Sequence, residues 1–207
     1  MNHIVSAAAA TAMAIGASMG AVTNVGKTPA DPNMEIMNPM IDGQAMLASR
    51  NLIDNAAHSP EHTILVAALR QTGLADKLSG QGPFTIFAPT NAAFAAMSDR
   101  GSLDKAAMAQ LLGYLVVRGK YDSQTLLDLI NGGEGEARLK TLEGGILVAR
   151  MNGPTNIVLI DERGGTANIS IYDVYEKNGV MQVIDKVVRP RAVTPLSARD
   201  LQAVPRS

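Results

Sequence analysis

The sequence predicts an α+β fold, and two observations carry that prediction. Between residues 59 and 130 apolar side chains recur at helical spacing, whereas residues 137–188 form short β-prone runs separated by glycine-containing pairs. Helices grouped in one part of a chain and hairpins in another favour α+β over alternating βαβ units. The chain has 207 residues without an internal repeat, which suits one domain of about 150 residues with tails.

The helical part begins near Ser59, which can cap a helix that has Pro60 at its first position. An apolar stripe runs from Ile64 to Leu69, and Gly73 ends it. Further helical segments are predicted over 74–78, 104–112 and 123–130.

The β-prone runs are short, and one of them lies early among the helices. Strands are predicted over 84–88, 137–142, 146–151, 156–161, 166–171 and 180–188. The pairs between the later runs are Gly144-Gly145, Asn152-Gly153, Gly164-Gly165 and Asn178-Gly179. Such pairs supply the positive φ that tight hairpins need, so we expect mostly antiparallel strands.

Composition and charge exclude several classes of function. The formal net charge is −1, from 18 Lys and Arg against 19 Asp and Glu, so no strong field attracts nucleic acid or an anionic membrane. The absence of Cys excludes disulfides, Cys-ligated metal centres and cysteine nucleophiles. With no Trp, three Phe and four Tyr, aromatic platforms for sugars or single-stranded nucleic acid are disfavoured.

The N-terminal segment predicts export. Residues 1–26 contain no Asp, Glu, Lys or Arg, and small residues at 18–21 suit cleavage by a signal peptidase. We expect a signal peptide over 1–26 that is removed; the alternative is a retained transmembrane anchor.

The rest of the chain divides into a predicted linker over 27–48, one domain over 49–191 and a C-terminal tail over 192–207.

Three ordered segments carry a resemblance to a known family: TIFAPTNAAF at 85–94, LLGYLVVRGKY at 111–121 and NGVMQVIDKVVRP at 178–190. They resemble the motifs of the fasciclin-type domain in order and spacing, and the likeness extends over about 49–190 to secreted bacterial single-domain members. It implies a small β-wedge of short, mostly antiparallel strands flanked by several α-helices. It also implies a non-enzymatic role in adhesion or interaction, without a cofactor.

The motif residues also have a structural interpretation. Pro89 stops the first strand, and Thr90 or Asn91 can cap the next helix, which buries Phe94. Asp185 lies in a run expected to be buried, so it needs backbone amides or a cation as partners. We interpret the motif residues as mainly structural, with a secondary interaction role: Thr85, Phe87, Pro89, Thr90, Asn91, Phe94, Tyr114, Tyr121, Asn178, Gly179, Asp185 and Pro190.

Two positions depart from the family pattern. Tyr114 is followed by Leu115 where the family usually has His, and Gln182 stands where the last motif commonly has another His. Neither Leu nor Gln titrates, so pH switching at these positions is excluded. The resemblance therefore does not by itself imply adhesion through a Tyr-His pair.

Catalytic and metal chemistry are both disfavoured. His58, Glu61 and His62 superficially resemble a metal pair, but Pro60 breaks the helix that such ligands need, and we expect two surface imidazoles. The candidate acid–base carboxylates are interpreted as solvated groups in turns and connections: Asp161, Glu162, Asp173 and Glu176.

The sequence therefore predicts an exported, non-enzymatic protein of the cell surface, periplasm or matrix that binds a protein or polysaccharide of the envelope. Its contact region is predicted at the hairpin turns and the segment of Tyr114 and Tyr121. The alternative is a periplasmic binding module for a small apolar ligand or lipid, which requires a closed apolar pocket between helices and sheet.

Overall fold

The computed structural model describes residues 38–98, 101 and 103–191. The predicted signal peptide, much of the predicted linker and the predicted tail lie outside these residues. No helix in the described ranges is long and apolar enough to cross a membrane.

The described helices all come before residue 136, where the later hairpins begin, as predicted. In the described residues they are α1 (Leu52–His58), α2 (Thr63–Thr72), α3 (Leu74–Ser79), α4 (Asn91–Ala95), α5 (Lys105–Tyr114) and α6 (Ser123–Gly132), with a 3₁₀ turn at Pro60–His62. Side-chain oxygens of Asn51, Thr90, Asp104 and Asp122 accept the amides that begin α1, α4, α5 and α6. Gly73, in a left-handed conformation, ends α2.

The start of α2 differs from the prediction. Pro60 begins the 3₁₀ turn rather than the helix, and the Ser59 hydroxyl does not cap it. That hydroxyl instead lies 2.8 Å from Nδ1 of His62. Helix α1 was not predicted, because its seven residues are too few to establish an apolar period.

The strands form a small hairpin and one larger sheet. They are β1 (Met40–Ile41), β2 (Gln44–Ala45), β3 (Phe84–Pro89), β4 (Val116–Arg118), β5 (Glu136–Lys140), β6 (Ile146–Asn152), β7 (Asn156–Ile160), β8 (Thr166–Glu176) and β9 (Gly179–Ile184). The larger sheet has the order β4-β3-β9-β8-β7-β6-β5, antiparallel throughout except for the parallel pair β3–β9. The α+β prediction with mostly antiparallel strands is confirmed.

The two edge strands of this sheet meet at one end. A single bridge joins Val117 to Thr141, and the Leu142 amide donates to the Val116 carbonyl at 2.7 Å. The sheet is thus nearly closed at that end, which agrees with a wedge.

Strand lengths required two corrections. β8 extends to Glu176 through two register shifts, so Asp173 and Glu176 lie in a strand rather than in a polar connection. β9 ends at Ile184, before the exposed Asp185, rather than at residue 188.

The core lies between the helices and the inner face of the sheet. Every residue of β3 and β9 is buried, as expected for a central parallel pair covered on both faces. Phe87 and Phe94 are fully buried within it. The core therefore contains residues of both the first and the last motif.

Candidate functional site

The first and last sequence motifs are hydrogen-bonded neighbours. Strands β3 and β9 pair in parallel from Phe84↔Gly179 to Pro89↔Ile184. A Cβ added at Gly179 would lie 2.0 Å from the Phe84 carbonyl oxygen. Gly179 therefore permits the close approach of the two backbones at the start of the pair.

Asn178 joins three elements through its side chain and its backbone. Its Oδ1 accepts the Leu52 amide at 3.0 Å, and its Nδ2 donates to the carbonyls of Leu78 (2.6 Å) and Gly80 (3.0 Å). Its backbone carbonyl accepts the Phe84 amide. Asn178 thus fixes the start of α1 and the end of α3 against β3, a structural role.

Thr90 and Asn91 divide the capping of two helices between them. Thr90 caps its own helix by accepting the Ala93 amide at 3.2 Å. Asn91 reaches the start of α2, where it accepts the Ile64 amide at 3.0 Å and donates to the Pro60 carbonyl at 2.7 Å. This second cap was not visible in the sequence, because its partners lie far away along the chain.

Gln182 occupies a buried polar network. Its Oε1 accepts the Asp173 amide at 3.0 Å, and its Nε2 donates to Asp173 Oδ1 (2.8 Å) and the Tyr121 carbonyl (3.2 Å). The Asp173 carboxylate also accepts the Ser123 amide at 2.7 Å and the Ser123 hydroxyl. The network ties β8 and β9 to the first turn of α6, and both polar atoms of the Gln182 amide have partners.

Tyr114 is buried, so in this structure it does not offer the contact surface predicted for it. Its hydroxyl donates to the Ile146 carbonyl at 2.7 Å and accepts the Glu162 amide at 3.2 Å. Burial raises the pKa of this phenol well above its usual range. Leu115 beside it is also buried.

Tyr121 is half-buried and held by its backbone. The Thr85 hydroxyl accepts the Tyr121 amide at 2.9 Å and donates to the Gly119 carbonyl at 2.8 Å. Thr85 itself is buried, which makes it a structural residue.

Asp185 and the chain around Pro190 lie near the hairpin turns. Asp185 is exposed rather than buried in a strand as expected, and its carboxylate nevertheless accepts the Asn168 amide at 2.8 Å. Pro190 is buried between two anchored residues, since Asp161 accepts the Arg189 amide and Glu162 accepts the Arg191 amide, both at 2.9 Å. The carboxylates of Asp161 and Glu162 thus hold backbone segments together, which is a structural role rather than one in acid–base catalysis.

His62 is not the surface imidazole that the sequence suggested. It is fully buried, and burial lowers its pKa to about 4, although the nearby Ala88 backbone opposes the shift. His58 is exposed, with Nδ1 2.6 Å from the Asp54 carbonyl. Within the described ranges, no three His, Cys, Asp or Glu side chains are grouped to hold a metal ion.

Glu176 is the least satisfied buried carboxyl group in the described residues. Neither of its carboxyl oxygens has a hydrogen-bond partner at acceptable geometry. The neighbouring side-chain amide of Asn55 donates to the Leu47 carbonyl instead. Burial raises the pKa of Glu176 to about 8, with Asn55 lowering it in part. The residue adjoins an open groove of about 750 Å³ whose wall also includes Lys120 and Lys177.

The outward-facing side chains of β5, β6 and β7 form a surface that we call the outer face. We define it by eight residues, Glu136, Arg138, Lys140, Ile146, Val148, Arg150, Val158 and Ile160, which the outward pair Asn152 and Asn156 borders at the turn between β6 and β7. The four aliphatic members are half-buried and do not belong to the hydrophobic core. Alternation along the strands aims them away from it.

Comparisons with known proteins identify relatives of this chain. The family model described as Fasciclin domain matches residues 60–190. "Protein sll1483" of Synechocystis sp. is 31% identical over 151 residues, covering 69% of this chain and 75% of that protein. "Transforming growth factor-beta-induced protein ig-h3" of Sus scrofa is 32% identical over 143 residues, covering 67% of this chain and 19% of that protein.

A solved structure gives the same fold. The FAS1 domain pair from the insect cell adhesion molecule fasciclin I has a TM-score of 0.62 and 16% identity, covering 69% of this chain and 52% of that one. At this identity the likeness concerns the fold. The chain spans about half of the domain pair and a fifth of ig-h3, so it corresponds to one part of those larger proteins.

Proposed function

This chain belongs to the fasciclin domain family, and we propose that it is an exported interaction or adhesion protein that binds a protein or polysaccharide of the cell envelope or matrix. Fasciclin domains generally act in cell adhesion or protein interaction. The observation that carries the proposal is the match of the family model over 60–190, in a fold shared with a cell adhesion molecule.

The use of polar groups supports a binding role without bond-making chemistry. Asp161, Glu162 and Asp173 hold backbone amides, and His62 is buried against the Ser59 hydroxyl. A general acid or base must reach a substrate, and these groups are engaged within the domain. We therefore propose that the protein is not an enzyme.

Export is supported by the sequence of the segment before the domain. Residues 1–26 have the uncharged, Ala-rich character of a signal peptide. We propose that the mature protein is periplasmic or secreted, in a bacterium, with the segment removed.

The alternative role, capture of a small apolar ligand, draws no support from the grooves. The groove beside Glu176 is open, and a second groove of about 800 Å³ between α6 and β5 includes Asp128, Glu134 and Arg138. An apolar ligand site is enclosed and mostly apolar, and neither groove has this character.

The test immobilises the full mature protein and measures retention of envelope proteins and polysaccharides from the source bacterium. We expect saturable retention that soluble protein competes away. A native mass spectrum of the same preparation checks the alternative and reports the N-terminus. Absence of saturable retention, or a stoichiometric small molecule in the spectrum, would contradict the proposal.

A further inference from the structure

The outer face has a regular arrangement of cations opposite aliphatic side chains. Arg138 lies opposite Val148 in the pairing of β5 with β6, and Lys140 lies opposite Ile146. Across the next pair of strands, Arg150 lies opposite Val158. A column of positive charge therefore runs alongside an aliphatic patch, in which Val148 is also opposite Ile160.

This pattern is unusual for the outer side of an antiparallel sheet, which ordinarily carries polar residues toward water. All four aliphatic residues of the patch, at 146, 148, 158 and 160, are β-branched. Cross-strand packing covers these side chains only in part, and burial against a partner would remove more of their apolar surface from water. The patch is therefore available for a contact.

The charges on the outer face favour an acidic occupant. Its one acid, Glu136, contacts both Arg138 and Arg150, with 3.0 Å from Oε1 to the Arg138 Nε and 3.0 Å from Oε2 to the Arg150 Nε. Three cations against one carboxylate give the outer face itself a net positive charge on a chain whose formal net charge is −1, and the acids Asp128 and Glu134 lie to one side, in the groove between α6 and β5. Carboxylates on a partner would complement it.

The aliphatic patch favours protein over polysaccharide. Sugar-binding surfaces rely on aromatic rings, and none of the eight residues of the outer face is aromatic. Val and Ile side chains need an apolar surface opposite them, as the centre of a protein interface provides.

We propose that the outer face docks a partner protein segment that presents acidic and aliphatic side chains in alternation, an inference that rests on the proposed interaction function. Three strands about 4.8 Å apart and five residues long span roughly 250 Å², well below the ~800 Å² per partner of a stable interface. A single contact is therefore weak, and adhesion through it gains strength from repetition.

The test titrates the full mature protein with a labelled peptide of alternating Glu and Val flanked by Gly-Ser, followed by fluorescence anisotropy and amide NMR. We expect shifts concentrated in 136–140, 146–152 and 156–160. The double variant Arg138→Glu/Lys140→Glu should weaken binding at least about tenfold, because two exposed cations are reversed. Added salt should weaken the wild-type complex.

Matched controls separate docking from general charge. Lys77→Glu/Lys105→Glu makes the same charge change on exposed residues of α3 and α5 and should leave affinity within about twofold. Val148→Thr/Val158→Thr keeps β-branching and should weaken binding of the Glu-Val peptide but not of a Glu-Ser peptide. NMR spectra of each variant confirm that it is folded.

Several outcomes would overturn the inference: no binding of the Glu-Val peptide, equal binding of the Glu-Ser peptide, equal binding of the acidic polysaccharide alginate titrated in the same way, or an equal loss of affinity in Lys77→Glu/Lys105→Glu. The envelope-retention assay, run on the same variants, distinguishes failure of the assigned docking surface from failure of the proposed function. If Arg138→Glu/Lys140→Glu retains envelope components normally, the function stands and the assigned surface is wrong. If wild-type protein retains none, the function itself fails.

Discussion

At the scale of single residues, burial disfavours the charged form of two titratable groups and therefore shifts their pKa values in opposite directions. His62 is kept neutral by burial, with its pKa lowered to about 4. Glu176 is kept protonated by burial, with its pKa raised to about 8. At neutral pH both side chains are therefore mainly uncharged, although each would be charged at some nearby pH in an unfolded chain.

Glu176→Gln is expected to stabilise the protein at pH 8. The folded state binds a proton that the unfolded chain releases above pH 4.5, so stability falls as pH rises from about 4.5 to 8, by up to about 5 kcal/mol. Gln imitates the protonated acid and cannot ionise, so the variant should lose this slope. Urea unfolding at pH 5 and 8 measures the effect.

The exposed Glu134→Gln is the control for loss of one carboxyl group. It should change the unfolding free energy by less than about 0.5 kcal/mol at either pH. If Glu176→Gln and Glu134→Gln behave alike, Glu176 does not carry a buried proton.

His62→Asn is expected to reduce sensitivity to acid. The unfolded chain takes up a proton near pH 6.5 that the folded state excludes until about pH 4, so stability falls by about 3 kcal/mol as pH is lowered across that window. Asn keeps a polar group for Ser59 and does not titrate. Urea unfolding at pH 4.5 and 7 should show a smaller difference for the variant, and an unchanged difference would refute the assignment.

At the scale of elements, the pairing of β3 with β9 depends on close backbone approach. Gly179→Ala should cost more than about 3 kcal/mol, because its Cβ would meet the Phe84 carbonyl oxygen at 2.0 Å. Gly153→Ala should cost about 1 kcal/mol, since its φ of 80° strains Ala but no atom lies within 4 Å. Comparable urea midpoints for the two variants would contradict this account.

The sequence predicted those elements whose signals are local. Asp104 directly precedes an apolar period, and the helix α5 begins next to it. Strand β4 was missed because Val116 and Val117 continue the apolar run of α5. The end of β8 was missed because its two register shifts interrupt the alternation around Tyr172.

The candidate site was less predictable because its determinants are tertiary. Asn91 was one of two candidates to cap the helix beside it, yet Thr90 is that cap and the partners of Asn91 lie at the start of α2. Tyr114 was expected at a contact surface, but its side chain is buried and its hydroxyl donates to the Ile146 carbonyl at the start of β6. The outer face exists only through the register of three strands, which places Arg138, Val148 and Ile160 in one row.

At the scale of the whole molecule, the two buried titrations combine into one pH profile. Between about pH 4.5 and 6.5 the His62 contribution rises with pH while that of Glu176 falls, so the two slopes cancel. Above pH 6.5 the Glu176 slope remains alone, and below pH 4.5 the His62 slope remains until about pH 4. Burial also raises the pKa of the half-buried Glu143. Its contribution to stability therefore falls as pH rises, as that of Glu176 does, but by a smaller amount.

We therefore expect wild-type stability to form a plateau at about pH 4.5–6.5 and to fall on both sides, with the larger loss toward pH 8. The double variant His62→Asn/Glu176→Gln should give a flatter profile over pH 4–8. His62→Asn alone should leave stability falling as pH rises, and Glu176→Gln alone should leave stability rising with pH up to about 6.5. Urea unfolding of all four proteins at half-unit pH intervals tests this. A wild-type maximum at pH 8, or single variants that tilt the same way, would mean that one of the two groups is not held neutral in the fold.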